Sequence, residues 1–202
     1  DARKRHGLEQ GNDVKAAIRF VRANADKYKI DDSFIGITGF SSGGHLASLT
    51  GTSNAVKEFT VGKKTVDIEG NLGIYTSVNS SVNAVVDWFG PIDLAVMDEC
   101  KKPKVGNSPE AALIKGNPAD NLDMIALLNP ITFIDKKDPQ FLVIHGEADN
   151  VVPYCQSELF AKALKEKGLL TEFISVHDGQ HGPVTFNQNT IKKMTEFFLK
   201  EA

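Results

Sequence analysis

The pentapeptide Gly39-Phe40-Ser41-Ser42-Gly43 sets a serine between two glycines, after the apolar run Phe34 to Thr38 and before the helix-compatible stretch His45 to Thr50. A serine on a sharp strand-to-helix turn holds its hydroxyl exposed. The hydroxyl is a weak nucleophile near neutral pH. Covalent catalysis there needs a base in contact and a carboxylate that holds the base's tautomer and stabilises its cation. The chain offers both, in that order. Gly-Glu-Ala-Asp-Asn follows the apolar run Phe141 to His145 and puts Asp149 in a loop. His-Asp-Gly-Gln-His-Gly follows Thr171 to Val176 and puts His181 in another. The chemistry of such a trio is acyl transfer through a covalent intermediate.

Each of these residues has competitors. Glu147 lies only two residues beyond its strand and ranks behind Asp149 as the acid. His177 follows its strand directly and reads as a packing or surface residue, whereas His181 lies in a freer loop between Gly179 and Gly182. His145, at a strand end, reads as a hydrogen-bonded core histidine. His45, one turn into the helix after Ser41, reads as structural. His6 has no context. Ser42 is expected as a turn or cap residue and Gly44 as a site of close packing.

The elements that must position these residues alternate along the chain. Val14, Ala17, Ile18, Val21 and Ala25 recur at helical spacing between Asn12 and Tyr28, with Asn12 or Asp13 able to cap. Lys15, Arg19, Arg22 and Lys27 are expected on a solvated face. Strands are predicted at Phe34–Thr38, Val82–Trp88, Phe141–His145 and Thr171–Val176. Helices are predicted after Gly43, near Pro109–Ile114, over Tyr154–Lys167 with Gly168 as terminator, and over Thr190–Lys200. Strands separated by helices imply an α/β fold, a mostly parallel sheet with helices on both faces. Parallel strands bring the Ser41, Asp149 and His181 loops to one sheet edge, where such folds bind ligands. The pattern predicts a single domain over residues 1–202, with insertions at about 51–81, where the mixed run Thr60–Ile68 suggests a hairpin, and at about 97–129.

Composition narrows the function classes. The chain has 202 residues, 24% of them charged, and a net charge of −3. Nothing in that balance draws it to nucleic acid or to an anionic membrane. The longest apolar run, Met124 to Leu128, is far short of the roughly 20 residues a membrane-spanning helix needs. Cys100 and Cys155 fit neither a disulfide-rich scaffold nor a metal site. One disulfide or two free thiols remain open, with a secreted or periplasmic compartment slightly ahead of the cytoplasm. No metal or cofactor is expected.

Seven segments, in order, resemble the α/β-hydrolase superfamily, in its carboxylesterase branch of acetyl-xylan and feruloyl-type esterases, the BD-FAE-like group. They are Asp13-Val-Lys-Ala-Ala-Ile-Arg, Gly39-Phe-Ser-Ser-Gly-Gly-His-Leu-Ala, Val85-Val-Asp-Trp-Phe-Gly-Pro-Ile-Asp-Leu, Ser108-Pro-Glu-Ala-Ala-Leu-Ile, Asn129-Pro-Ile-Thr-Phe, His145-Gly-Glu-Ala-Asp-Asn-Val-Val-Pro and Gly179-Gln-His-Gly. The resemblance implies Ser41 as nucleophile, Asp149 as acid and His181 as base. It also implies the Ser42 backbone amide as an oxyanion donor, and Trp88, Phe89 and Gly90 near the acyl pocket, with plain core as the alternative for Trp88 and Phe89. Members of the branch carry three or four strands, and a glycine-rich oxyanion loop, ahead of the first helix seen here. Without that segment the nucleophile strand is expected at an exposed sheet edge, covered by an N-terminal segment or by another chain.

Three readings follow. The first is a serine hydrolase of carboxylic esters, with short acyl groups on carbohydrate or small alcohols as substrates. The second is a serine peptidase of the prolyl-oligopeptidase type. The third is a hydrolase-like binding module without catalysis.

Overall fold

The computed structural model describes residues 7–97, 100, 109–114 and 116–202. Among these, the sheet that carries the site has four strands: β1 (Gly36–Phe40), β4 (Ala84–Trp88), β5 (Gln140–Gly146) and β6 (Leu170–Val176). They are parallel and lie in that spatial order. Alternate residues of the inner strands point to opposite faces, as the pleat requires. Val85, Phe141 and Val143 join a cluster with Ile18, Ala47, Phe160 and Leu164, while Val86, Trp88, Leu142 and Ile144 join one with Phe197. Helices α1 (Gly7–Ala23), α3 (Ser42–Thr52) and α6 (Cys155–Lys167) therefore cover one face, and α7 (Gln188–Glu201) covers the other. This is the expected α/β arrangement.

Strand β1 is an edge strand among the described residues, with Phe40 42% exposed, whereas β4 is buried throughout. The segment between α3 and β4 holds a hairpin of β2 (Glu58–Val61) and β3 (Lys64–Asp67). Further on, α4 (Pro109–Ile114) and α5 (Leu122–Leu128) pack beside the hairpin in a cluster with Ile68, Leu94 and Phe133. His6 and Ser108 lie outside the described residues.

The first helix departs from expectation in three ways. It begins at Gly7, so Asn12 and Asp13 sit inside it, and it breaks at Asn24 before the short α2 (Ala25–Tyr28). Lys15 and Arg19 are not solvated either: they are buried and share Glu69, at 3.2 and 2.7 Å. Ser80 donates a further hydrogen bond to Glu69. The cause is the segment after α3, which folds back over the polar side of α1 and brings its own carboxylate.

Cys100 and Cys155 form a disulfide that ties the loop after β4 to the start of α6. The adjacent Gln156, fully buried, accepts from the amides of Ile92 and Asp93. The loop that follows β4 is thus anchored on α6 by both a covalent and a hydrogen-bonded link.

Candidate active site

Ser41 sits at the carboxyl end of β1 with φ at 54°, in the left-handed region that a serine rarely adopts. Its amide donates to the Trp88 carbonyl and its own carbonyl accepts from His45, so the strain is held from both sides. The turn depends on Gly39, where a Cβ would lie 2.2 Å from the Gly43 carbonyl oxygen. Gly43 itself has open space around it. The close approach is therefore of any side chain at 39 to the backbone at 43, and not the reverse. Ser42 opens α3, so its amide belongs to the unpaired N–H groups of that helix start. Gly44 packs against Asp87 and the Trp88 carbonyl, as its small size suggested.

Asp149 and His181 meet across two loops. The His181 Nδ1 donates to Asp149 Oδ2 at 2.7 Å. The loops can come this close because Gly146 abuts Gly179: a Cβ on Gly146 would lie 2.3 Å from the Gly179 backbone. Ala148 also donates to the Gly179 carbonyl. Below them Thr185, fully buried, donates to the Gln180 carbonyl, and Asn187 and Thr190 form a reciprocal cap that starts α7. The His181 loop is thereby pinned to a helix N-terminus.

The Asp149 side chain is fully buried and Oδ1 accepts from the amides of Val151 and Val152 at 2.8 and 2.9 Å. Burial pushes the carboxyl up. Hydrogen bonds from His145, from His181 and from those two amides outweigh it and bring the carboxyl down to about 2. A charged acid is thus held against His181 Nδ1, which leaves Nε2 as the imidazole atom available for proton transfer.

Ser41 and His181 line one cavity together with Phe40, Phe89, Gly182, Pro183 and Phe186. Phe89 packs against His181 with the rings tilted by 56° and their centroids 4.6 Å apart, and its φ of 43° turns the chain sharply out of β4. Two expected pocket residues do not line this cavity. Trp88 is fully buried behind it, its Nε1 donating to Thr38 Oγ1, and Gly90 is turned inward with its amide on Asp87. The turn at Phe89 explains this: one residue faces the cavity and its neighbours face the core. Phe186 and Pro183 were not singled out from sequence. Their only signal was an aromatic residue five places after a loop histidine.

The competing residues are placed elsewhere. Glu147 accepts from Ser175 and His177 on the surface, where His177 is 85% exposed. His45 is buried, and its Nδ1 donates to the Pro91 carbonyl at 2.7 Å. His145 is fully buried and hydrogen-bonded at both ring nitrogens, to Ser157 and to the Val152 carbonyl.

The fold has counterparts among known proteins. A solved chain described as a bifunctional GH43-CE of Bacteroides eggerthii is 70% identical with a TM-score of 0.93, over 95% of this chain and 25% of that one. A truncated form of a carbohydrate esterase from gut microbiota is 52% identical with a TM-score of 0.93, over 98% and 72%. Esterase LipQ of Mycobacterium tuberculosis is 33% identical over 162 residues, 79% of this chain and 35% of that protein. The chain spans about a third of the length of LipQ and of the next two curated relatives that it matches. A model of the BD-FAE family matches residues 5–164, more than half of the sequence, and the chain belongs to that family.

Proposed function

We propose that the chain is a serine hydrolase of carboxylic esters. The observation that carries the reading is the short Asp149–His181 hydrogen bond at a cavity that Ser41 also lines. Ser41 Oγ attacks the ester carbonyl as His181 Nε2 takes its proton. The tetrahedral oxyanion is met by the Ser42 amide. The proton passes to the leaving alcohol, and an acyl-serine remains. Water then attacks the acyl-serine, giving its proton to His181, and the carboxylic acid leaves as Ser41 recovers its hydrogen. Asp149 keeps Nδ1 protonated and stabilises the imidazolium at each step.

Short acyl groups on carbohydrate are the proposed substrates. The carbohydrate esterase among the solved relatives supports the carbohydrate part of this reading. The open edge of β1, beside Ser41, supports a further segment or second chain that covers it and adds oxyanion donors. One missing donor costs about 100-fold to 1000-fold in turnover. The test is a nitrophenyl acetate assay of this chain and of a longer product of the same gene. An initial burst stoichiometric with Ser41 is expected, larger in rate for the longer protein. Hydrolysis unchanged by Ser41→Ala overturns the reading.

A further inference from the structure

We propose that His145 is a positioning residue for the acid: its Nε2–H, hydrogen-bonded to the Val152 carbonyl, is shared with Asp149 Oδ2, holding the carboxylate toward His181 and drawing off part of its charge. The inference rests on the reading of Asp149 and His181 as acid and base. It goes beyond the core role that position and burial alone suggest for His145.

The tautomer follows from the partners. His145 Nε2 faces two oxygens that only accept, the Val152 carbonyl at 3.1 Å and Asp149 Oδ2 at 3.4 Å. Nε2 must therefore carry the hydrogen. Nδ1 lies 2.6 Å from Ser157 Oγ on α6, and that hydroxyl donates to it. Oδ2 is the same oxygen that receives His181 Nδ1. The two imidazoles thus share one carboxylate oxygen, the buried ring from inside and the cavity ring from outside. A neutral donor on that oxygen has two effects. It fixes where the oxygen lies, and it lessens the negative charge that stabilises an imidazolium on the other side.

Other groups around His145 are few. Tyr154 stacks edge-on at 5.5 Å and Phe89 lies at 6.3 Å. Asp87 lies on the neighbouring strand β4, with its Oδ1 accepting from the Gly90 amide. Glu147, next along the loop from β5, pairs outward with His177 and Ser175. Asp149 is the carboxylate within hydrogen-bonding reach of the His145 ring.

The experiment compares His145→Leu, His145→Gln and Ser157→Ala with the parent protein. It reads kcat, KM, the pH profile of kcat/KM for nitrophenyl acetate, and the far-downfield NMR proton of the Asp149–His181 hydrogen bond in the resting protein. His145→Leu is expected to lower kcat about 10- to 100-fold with KM within about twofold. Its acid limb should move up by about half a pH unit or more, because the unshared carboxylate favours the protonated state of the pair. His145→Gln restores an N–H donor at the ε position and should return the limb and the resonance toward the parent. Ser157→Ala, the mildest change, frees the tautomer and should shift both readouts in the same direction by less. A folded His145→Leu with the parent's limb and resonance overturns the proposal, whatever happens to kcat. If His145→Leu does not fold, an unmoved limb and resonance in Ser157→Ala overturns it. The resonance does not depend on turnover, so loss of the hydrolase reading through an active Ser41→Ala is a separate result.

Discussion

Asp149 and Asp87 lie near the carboxyl ends of adjacent strands, and neither side chain is reached by solvent. Burial alone pushes both carboxyls up. They nonetheless part company: Asp149 is brought down to about 2, whereas burial holds Asp87 up at about 6. The difference is the supply of donors. Asp149 receives two backbone amides and the His181 imidazole, and the His145 ring, whose Nε2–H bonds the Val152 carbonyl, lies 3.4 Å from its Oδ2. Asp87 receives the Gly90 amide on Oδ1, its Oδ2 has no partner, and the Ser48 hydroxyl beside it makes no hydrogen bond of good geometry. Donor count, and not depth, decides whether a buried acid here is strong or weak. The strong one is the acid that meets a loop histidine. The weak one braces the turn that sends Phe89 into the cavity.

The largest expected effect separates the two by activity. Asp149→Asn should lower kcat/KM for a nitrophenyl ester by about 10,000-fold, since an amide beside Nδ1 favours the wrong imidazole tautomer. Asp87→Asn keeps an oxygen for the Gly90 amide and should stay within about tenfold of the parent. Equal losses from both substitutions would erase the distinction.

A third carboxylate extends the rule to stability. Glu69 is also partly buried, which pushes it up, but Ser80, Lys15 and Arg19 together bring it below its usual value. Burial in turn lowers Lys15, and Glu69 opposes that. Glu69→Ala leaves two buried cations without their anion and should cost about 3 kcal/mol in urea unfolding. A loss under about 1 kcal/mol would mean that solvent reaches this cluster in spite of its burial.

The third test uses pH. Unfolded, Asp87 ionises near its usual 3.8, and folded it ionises at about 6. Its stabilising contribution is therefore whole below pH 3.8 and is lost as pH rises to about 6. The loss is about 3 kcal/mol at most and stays constant above that. Asp149 runs the other way: its contribution is present above pH 3.8 and is lost as pH falls toward 2. Between pH 4 and 6 the urea stability of Asp87→Asn should accordingly gain on that of the parent. Parallel curves over that window would show that Asp87 is already ionised in the folded chain.

How far the sequence carried the argument depends on how local each feature is. Strand and helix alternation lies in short runs, so the sheet and the loops bearing Ser41, Asp149 and His181 could be placed from it. The hairpin of the 51–81 segment was legible for the same reason. Features made by two distant segments were not. Lys15 and Arg19 look like solvated residues until Glu69 folds over them, some 50 residues later in the chain. Trp88 and Gly90 seemed as suited to the pocket as Phe89, because a positive φ at one position is invisible in composition. The contact of His145 with Asp149, only four residues apart, was hidden for another reason: it needs the loop to curl back on its own strand. The Cys100–Cys155 pairing depended on where the loop after β4 comes to rest.

The smallest expected effect tests whether the apolar cover of the site contributes to the contrast between the acids. Phe186 stands edge-on to Phe40 and Trp88, at 4.6 and 5.0 Å, and walls the cavity beside His181. Truncation to alanine removes about 1 kcal/mol of aromatic contact. KM for a nitrophenyl ester should rise about fivefold with kcat nearly unchanged. The substitution also lets water nearer to His181 without touching any donor to Asp149. If donors set the acid, the acid limb of the pH profile stays in place in Phe186→Ala. A limb that moved as far as in His145→Leu would assign the strength of Asp149 to its dry surroundings instead, and the contrast with Asp87 would need another cause.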